Sequence, residues 1–396
     1  MIKIPNEVKN SQKYIFAIKV VETLRKKSHD AFFVGGAVRD MLLGLEPKEF
    51  DINTSATPDE IKHLFPVTKL VGQKFGVTLI VDGNMFIEVA TFREESDYSD
   101  KRRPDTVLYT SNVKNDIKRR DFTINGLLYD PLTGSVIDYC DGLKDIQDKV
   151  LRTIGEPKER LAEDYLRILR GIRFANHLSF SIHKDTELAM RLKVKNIKEI
   201  SIERIRDEIT SILSGNRPGE GLKLLDNFGV LEEVIPELIE MKGVQQPPDF
   251  HPEGDVFVHT CLALDMLKDE REKGVELLYG TLFHDIGKPD TYTVTDRIRF
   301  NRHEYVGAIK AQKICKRLKF SKKQTELICS LVKEHMKFGN IKDMKLSTFK
   351  KFVSMDSFNQ HLRLHKADCL ASHGDLSLLE YTQSKIIEIQ SEPKLP

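Results

Sequence analysis

Two short stretches carry residue types whose spacing suits phosphate chemistry: Phe32-Phe33-Val34-Gly35-Gly36-Ala37-Val38-Arg39-Asp40 and Glu49-Phe50-Asp51-Ile52-Asn53-Thr54. An apolar β-type run ending in Gly35-Gly36 can turn backbone N–H groups toward an anion. Glu49 and Asp51 stand two positions apart on what reads as the next strand, and alternate strand residues share a face, so both carboxylates can hold the same ions. A triphosphate on glycine amides and Mg²⁺ on paired carboxylates are the requirements of metal-dependent nucleotidyl transfer. The bland alternative is a turn followed by a solvated strand face. Glu88, in Ile87-Glu88-Val89-Ala90-Thr91-Phe92-Arg93, is a third candidate carboxylate, and its alternative is an exposed strand residue.

Further along, Arg119-Arg120-Asp121-Phe122-Thr123-Ile124-Asn125-Gly126 combines two guanidinium groups with a carboxylate and an amide. Guanidinium forks suit phosphate oxygens, and Asp121 and Asn125 suit a ribose hydroxyl; a surface salt-bridge cluster is the alternative. In Glu163-Asp164-Tyr165-Leu166-Arg167 the spacing predicts a helix with Asp164 and Arg167 on one face, which by itself is an ordinary i,i+3 ion pair. A third set is rich in histidine: His259, the adjacent His284-Asp285, His303, His335 and Asp368, all in helical surroundings. A lone histidine on an apolar helix face is usually a satisfied core residue, but this series can wrap nitrogen and oxygen ligands round a divalent transition metal.

The elements that must position these groups divide the chain. A helix over 12–27 precedes an α+β part in which Val77–Val81, Asp82-Gly83-Asn84 and Met85–Ala90 read as a hairpin. From Pro157 the apolar period becomes helical and nearly everything afterwards reads as helix, with a break at Pro247-Pro248. The expected domains are 1–150, 151–245 and 246–396. With 396 residues, 40% apolar and 31% charged, the chain can bury a sizeable core, and a formal charge of +2 announces no nucleic-acid binder in bulk. Local clusters such as Lys101-Arg102-Arg103 and Lys118-Arg119-Arg120 would have to do so. Five scattered cysteines with no CxxC favour reduced thiols. The absence of a spanning apolar run or signal-peptide core leads us to expect a soluble, cytoplasmic protein without a membrane partner.

In their order, these segments resemble the class II tRNA nucleotidyltransferases, or CCA-adding enzymes, and the related bacterial poly(A) polymerases. The resemblance runs from about residue 30 to 240. It rests on Val34–Asp40, the carboxylate pair followed by Thr54-Ser55-Ala56-Thr57-Pro58, Thr91-Phe92-Arg93, Arg119–Thr123, Asp141-Gly142 with Asp145, Leu151–Gly155, and Glu163–Arg167 running into Leu169–Ala175. It implies a polymerase-β-like α+β head with a small mixed sheet, an all-α neck and an all-α HD-type domain. Also implied are Mg²⁺ on Glu49 and Asp51, with Glu88 in the catalytic set, and nucleotide binding by Gly35, Gly36, Arg39, Arg119, Arg120, Asp121, Asn125, Arg170 and Arg173. Asp164 and Arg167 would act as a protein template for the bases of CTP and ATP at a tRNA 3′ end. A carboxylate accepts from the exocyclic amine of C or A, and a guanidinium donates to the adjoining ring acceptors. The chain departs from the family pattern where Glu49 replaces the first aspartate of Asp-x-Asp. The histidine series resembles the HD-type phosphohydrolases, which implies His259, His284, Asp285 and Asp368 round one metal, with His303 and His335 for a second.

Complete CCA addition is the leading expectation, since the Arg93–Asp105 stretch reads as a full-length switching loop. The alternatives within the class are A-only or CC-only addition and poly(A) synthesis, which the HD-type region and the lack of a long basic tail argue against. Outside the class stand an HD phosphohydrolase and a non-catalytic tRNA-binding protein.

Overall fold

The computed structural model describes residues 4–70, 76–96, 106–268 and 274–391 and resolves into two compact units, 1–193 and 194–396. The stretch expected as a neck is divided between them: 151–193 packs in the first unit and 194–245 in the second.

The first unit is built on a seven-stranded mixed sheet. Its strands are Ala31–Val34 (β1), Asp51–Thr54 (β2), Thr68–Leu70 (β3), Val77–Asp82 (β4), Met85–Thr91 (β5), Leu128–Asp130 and Ser135–Ile137, in the order β3-β4-β5-β2-β1 followed by the last two. The hairpin expected from sequence is present: β4 and β5 pair antiparallel, with Asp82 opposite Met85 and Gly83 at φ +58° between them. A two-residue loop that needs positive φ selects glycine there. Parallel pairing of β2 with β5 and antiparallel pairing with β1 make β2 central. Its Ile52, with Phe50 just before the strand, packs in a core with Phe33, Tyr14, Val89 and Ile61, onto which the helix Gln12–Lys26 lays Ala17, Val20, Val21 and Leu24. The opposite face carries Asp51 at the edge of a second, smaller apolar cluster of Phe32, Val34, Phe92, Ile117, Leu128 and Ile154. The helix Leu166–Leu178 buries Ile168, Leu169, Ile172 and Ala175 at helical spacing, as the amphipathic pattern requires.

The second unit is almost entirely helical. Apolar residues of Val256–Asp265, Val275–Phe283, Lys322–Glu334 and Phe358–Ala371 fill its centre. Among the described residues, the expectation of near-continuous helix after Pro157 missed the short strand Ser181–Ile182 in the first unit and, in the second, an antiparallel hairpin of Tyr292–Val294 and Ile298–Phe300. Its three-residue strands, with Tyr292 and Val294 exposed, give too short an alternation to stand out from sequence. No helix among the described residues is long and apolar enough to cross a membrane.

Candidate functional sites

In the first unit, the sheet order brings together carboxylates that lie far apart in sequence. The parallel register sets Ile52 beside Val89, so Asp51 and Glu88, each one residue earlier, are neighbours on the opposite face. Asp51 is paired across β1 with Val34, immediately before Gly35. Glu49 is not on the strand: β2 begins at Asp51, and Glu49 lies in the exposed approach to it. The alternation persists nonetheless, and Glu49 stays near Asp51. Burial, then the charges of Glu88 and Glu49, push the Asp51 carboxyl up to about 6, with Arg120 opposing them. The neighbouring negative charges that raise Asp51 are charges a divalent cation such as Mg²⁺ would offset, although Glu49, Asp51 and Glu88 do not bring three ligand atoms within 4.8 Å of one another as the clusters of the second unit do.

Gly35 caps the helix Gly36–Leu42 at φ +71° and ψ −131°, a backbone conformation open to glycine. A Cβ built at Gly35 would lie 3.7 Å from Nη1 of Arg120, so the turn and this guanidinium share one edge of the site. Arg120 Nε is buried and finds no hydrogen-bond partner among the described residues, a donor suited to an anion.

What holds the arginines was not foreseen. Asp116, fully buried in the helix Val113–Lys118, accepts on Oδ1 from Arg119 Nε at 2.9 Å and Nη2 at 2.8 Å and on Oδ2 from Asn53 Nδ2 at 2.5 Å, with Arg120 Nη2 3.4 Å from the same Oδ2. The backbone N–H of Arg93 donates to it at 3.3 Å. Burial alone would raise its pKa, but Arg120 and Arg119 hold it below the ordinary value. The sequence signal was available in the i,i+3 and i,i+4 spacing of Asp116 to the two arginines.

Asp121 accepts from Arg170 Nε at 2.8 Å, Asn125 Nδ2 at 3.2 Å and the Phe122 N–H at 2.8 Å. Despite burial, Arg170 and these hydrogen bonds bring its carboxyl down to about 2. Asn125 Oδ1 in turn accepts from Arg39 Nη1 at 2.7 Å. The guanidinium carbons of Arg39, Arg170 and Arg173 lie 5.2, 5.3 and 4.6 Å from the centre of the Phe174 ring. Arg39, Asp121, Asn125, Arg170 and Arg173 thus form one connected group.

The placement of Asp164 and Arg167 on one helical face is corrected. One helix ends at Glu163, Asp164 is extended at φ −151° and ψ 106°, and the next helix begins at Leu166. Asp164 Oδ1 accepts from the Leu166 N–H at 3.0 Å, so its carboxylate competes with continuation of the helix. Arg167 donates from Nη1 to Glu163 at 2.5 Å and to the Arg160 carbonyl at 2.6 Å, and from Nη2 to the Arg119 carbonyl at 3.1 Å. That last bond ties Arg167 to the same backbone that presents Arg120.

In the second unit the whole histidine series converges. Within His259, His284 and Asp368, and within Asp285, His303 and His335, the ligand atoms lie inside 4.8 Å of one another. His259 Nε2 is 3.0 Å from Asp368 Oδ1 and 3.2 Å from His284 Nε2, while His303 Nε2 is 3.2 Å from His335 Nε2. Ligands at about 2.1 Å from one ion are themselves separated by about 3.0–3.4 Å, so the donor sets fit a divalent metal. Asp285 spans both groups, with Oδ2 at 3.2 Å from His284 Nε2 and Oδ1 at 3.3 Å from His303 Nε2. Lys288, at 2.7 Å from Asp285 Oδ2, was not among the expected site residues. Burial lowers the pKa of His259, but hydrogen bonds to Asp368 and Glu253 outweigh it and bring the group up to about 9; burial, with His303 and His284, pushes His335 down to about 3. A cavity of about 620 Å³ opens onto the centre, lined in part by His251, Lys288, Arg297, Arg299, Phe300 and Asp368.

The architecture is that of a polymerase-β-like head with a mixed sheet, followed by helices that include an HD domain. Residues 31–152 match the family model "Poly A polymerase head domain", residues 179–242 "Probable RNA and SrmB- binding site of polymerase A", and residues 257–373 "HD domain". The chain thus carries a match to the poly(A) polymerase head, an RNA-binding segment and an HD domain, in that order. It is 42% identical over 231 residues to a CCA-adding enzyme of Levilactobacillus brevis, a match covering 58% of this chain and 58% of that protein. In fold it is similar to the Bacillus stearothermophilus CCA-adding enzyme in complex with CTP, with a TM-score of 0.69, 24% identity and coverage of 96% of this chain and 83% of the other. A Thermotoga maritima CCA-adding enzyme complexed with tRNA shares the fold at a TM-score of 0.64 and 18% identity, covering 99% of this chain and 87% of that one.

Proposed function

We propose that this protein is a tRNA nucleotidyltransferase that adds CCA to the tRNA 3′ end from CTP and ATP without a nucleic-acid template, in the cytoplasm. The single observation that carries the reading is the convergence of Asp51, Glu88 and Glu49 beside the Gly35 turn and Arg120. The division of labour would follow head, neck and HD-type domain at 1–150, 151–245 and 246–396.

Glu49, Asp51 and Glu88 would hold Mg²⁺, which when bound supplies charge neutralisation for the attacking hydroxyl and the leaving pyrophosphate. Gly35 and Gly36 receive triphosphate oxygens on backbone N–H groups, and Arg120 adds a guanidinium. The Arg39–Asn125–Asp121–Arg170 network, with Arg173, offers hydrogen bonds to the ribose and phosphates. Asp164 and Arg167 read the base, and since Arg167 is engaged by Glu163, reading requires that Arg167 exchange this partner for the nucleobase. A carbonyl of U or G facing Asp164 would set two acceptors against each other, at a cost of about 1–3 kcal/mol. The switching loop expected in Arg93–Asp105 lies mostly outside the described residues, as do Lys101-Arg102-Arg103.

Sequencing the 3′ ends made from tRNA lacking CCA, tRNA-C and tRNA-CC, with CTP and ATP alone and mixed, tests the reading. CCA on all three is expected. Extended A-only tails would instead indicate a poly(A) polymerase, and no extension with either Mg²⁺ or Mn²⁺ would reduce the head to a binding module.

The His/Asp clusters at the foot of a cavity of mixed charge support a second reading, a divalent transition metal in the HD domain and a metal-dependent phosphohydrolase activity. Metal analysis with a 2′,3′-cyclic phosphate assay tests it; metal-free, inert protein would overturn it.

A further inference from the structure

Each metal-facing histidine of the HD centre turns its Nε2 inward, and what fixes the ring is the partner of Nδ1. For His284, His303 and His335 that partner is a backbone carbonyl, Thr281 O at 2.7 Å, Phe300 O at 2.9 Å and Val332 O at 2.6 Å. For His259 it is a carboxylate, Glu253 Oε1 at 2.6 Å. The same oxygen lies 2.9 Å from Nδ1 of His251, whose ring packs edge-on against His259 with centroids 4.9 Å apart and which lines the cavity. Glu253 is buried along its side chain, and its other oxygen finds no hydrogen-bond partner among the described residues.

The loop is built to hold this carboxylate. Pro252 restricts the chain before it, Gly254 follows at φ +80°, the Gln246 N–H donates to the Gly254 carbonyl at 2.7 Å, and Asp255 caps the next helix through the Val258 N–H at 2.9 Å. A buried carboxylate bonded through one oxygen is expensive unless positive charge compensates it nearby. A cation on the far side of His259 would do so through the imidazole. His251, Glu253 and His259 could in principle ligate an ion themselves, but His259 Nδ1 would then face that ion and could not keep its proton for Glu253.

We propose that Glu253 is a positioning residue of the HD metal centre: it holds His259 with its proton on Nδ1, leaving Nε2 for the ion, and through the same oxygen it steers His251 to the cavity wall. This rests on the reading that the HD clusters bind metal. The anionic partner makes His259 a stronger donor than histidines anchored on carbonyls, so the ion's affinity is set in part by a residue that never touches it.

Cobalt(II) titration of the full chain, followed by its visible spectrum, and ¹⁵N shifts of the histidine ring nitrogens in the zinc-loaded protein test this. Glu253→Ala is expected to weaken cobalt binding by about 10- to 100-fold. Glu253→Gln, which keeps the shape and an acceptor oxygen, should weaken it less and alter the cobalt spectrum while melting as wild type does. His251→Phe should leave affinity within about threefold, since it spares the bond to His259. Wild-type affinity and spectrum in both Glu253 variants, or a ¹⁵N shift that places zinc on Nδ1 of His259, would overturn the proposal. Absence of cobalt uptake by the wild type would instead sink the metal reading beneath it.

Discussion

At the scale of single residues, Asp51 is the most exposed to test because its charge is set by its neighbours. Its folded pKa, about 6, lies above the ordinary 3.8, so the folded state holds the proton more tightly than the unfolded chain does. The stability this contributes is fully present below the ordinary value and is lost as pH rises through about 6. Metal-free protein is therefore expected to lose melting temperature between pH 4 and pH 7 through this group, and Asp51→Asn to flatten that part of the profile. Mg²⁺ at pH 7.5 should raise the melting temperature of the wild type and not of the variant. A wild-type profile in the variant would show that the three carboxylates do not interact. Glu49→Asp tests the unusual first carboxylate separately, with Mg²⁺- and Mn²⁺-supported incorporation as the readout.

Elements are held in place by groups whose importance the sequence does not advertise. Asp116 joins the end of one helix to β2 through Asn53 and to the Arg93 backbone, and it fixes both Arg119 and Arg120. Removing one member of a buried charge network leaves the others unpaired, so Asp116→Ala is expected to destabilise the protein by about 3–5 kcal/mol by denaturant unfolding. Asp116→Asn, which keeps hydrogen bonds but not charge, should fold better and still lower nucleotide affinity by releasing the arginines. Helix packing in the HD domain has a comparable dependence at Gly287. A Cβ there would fall 2.2 Å from the His303 carbonyl oxygen and 2.6 Å from the Gly307 nitrogen, both backbone atoms. Gly287→Ala should force the His284-Asp285 turn away from the helix His303–Arg317. It is expected to cost about 1–3 kcal/mol or more by thermal unfolding and to weaken cobalt binding.

On the scale of the molecule, the two candidate centres fall in different compact units. Each has its own ligands, so their responses should separate. Asp51→Asn is expected to cut CTP and ATP incorporation at least about a hundredfold while cobalt uptake stays as in wild type. His284→Ala should do the reverse. Loss of both properties in either variant, with folding intact by circular dichroism, would show that the centres are coupled. The net charge of +2 does not reveal that each centre is locally polarised, acidic at Asp51 and mixed at the HD cavity.

The β4–β5 hairpin, the long amphipathic helices and the presence of His and Asp side chains able to ligate a metal were legible in the sequence, because period, turn residues and residue types are local properties. The order of the motifs also made the fold legible. Local pattern could not place Glu49 ahead of the strand or break the helix at Asp164, since both depend on competing backbone hydrogen bonds. Nor could it pick out Glu253, which reads as an ordinary acidic residue until burial removes the water that would otherwise solvate it; Asp116 left only the spacing to Arg119 and Arg120 as a signal. The sequence by itself determined which chemical groups this protein has and in what order. Only the tertiary structure decided which of them meet, because parallel pairing of β2 with β5 and the packing of separate helices bring together residues that no local spacing connects.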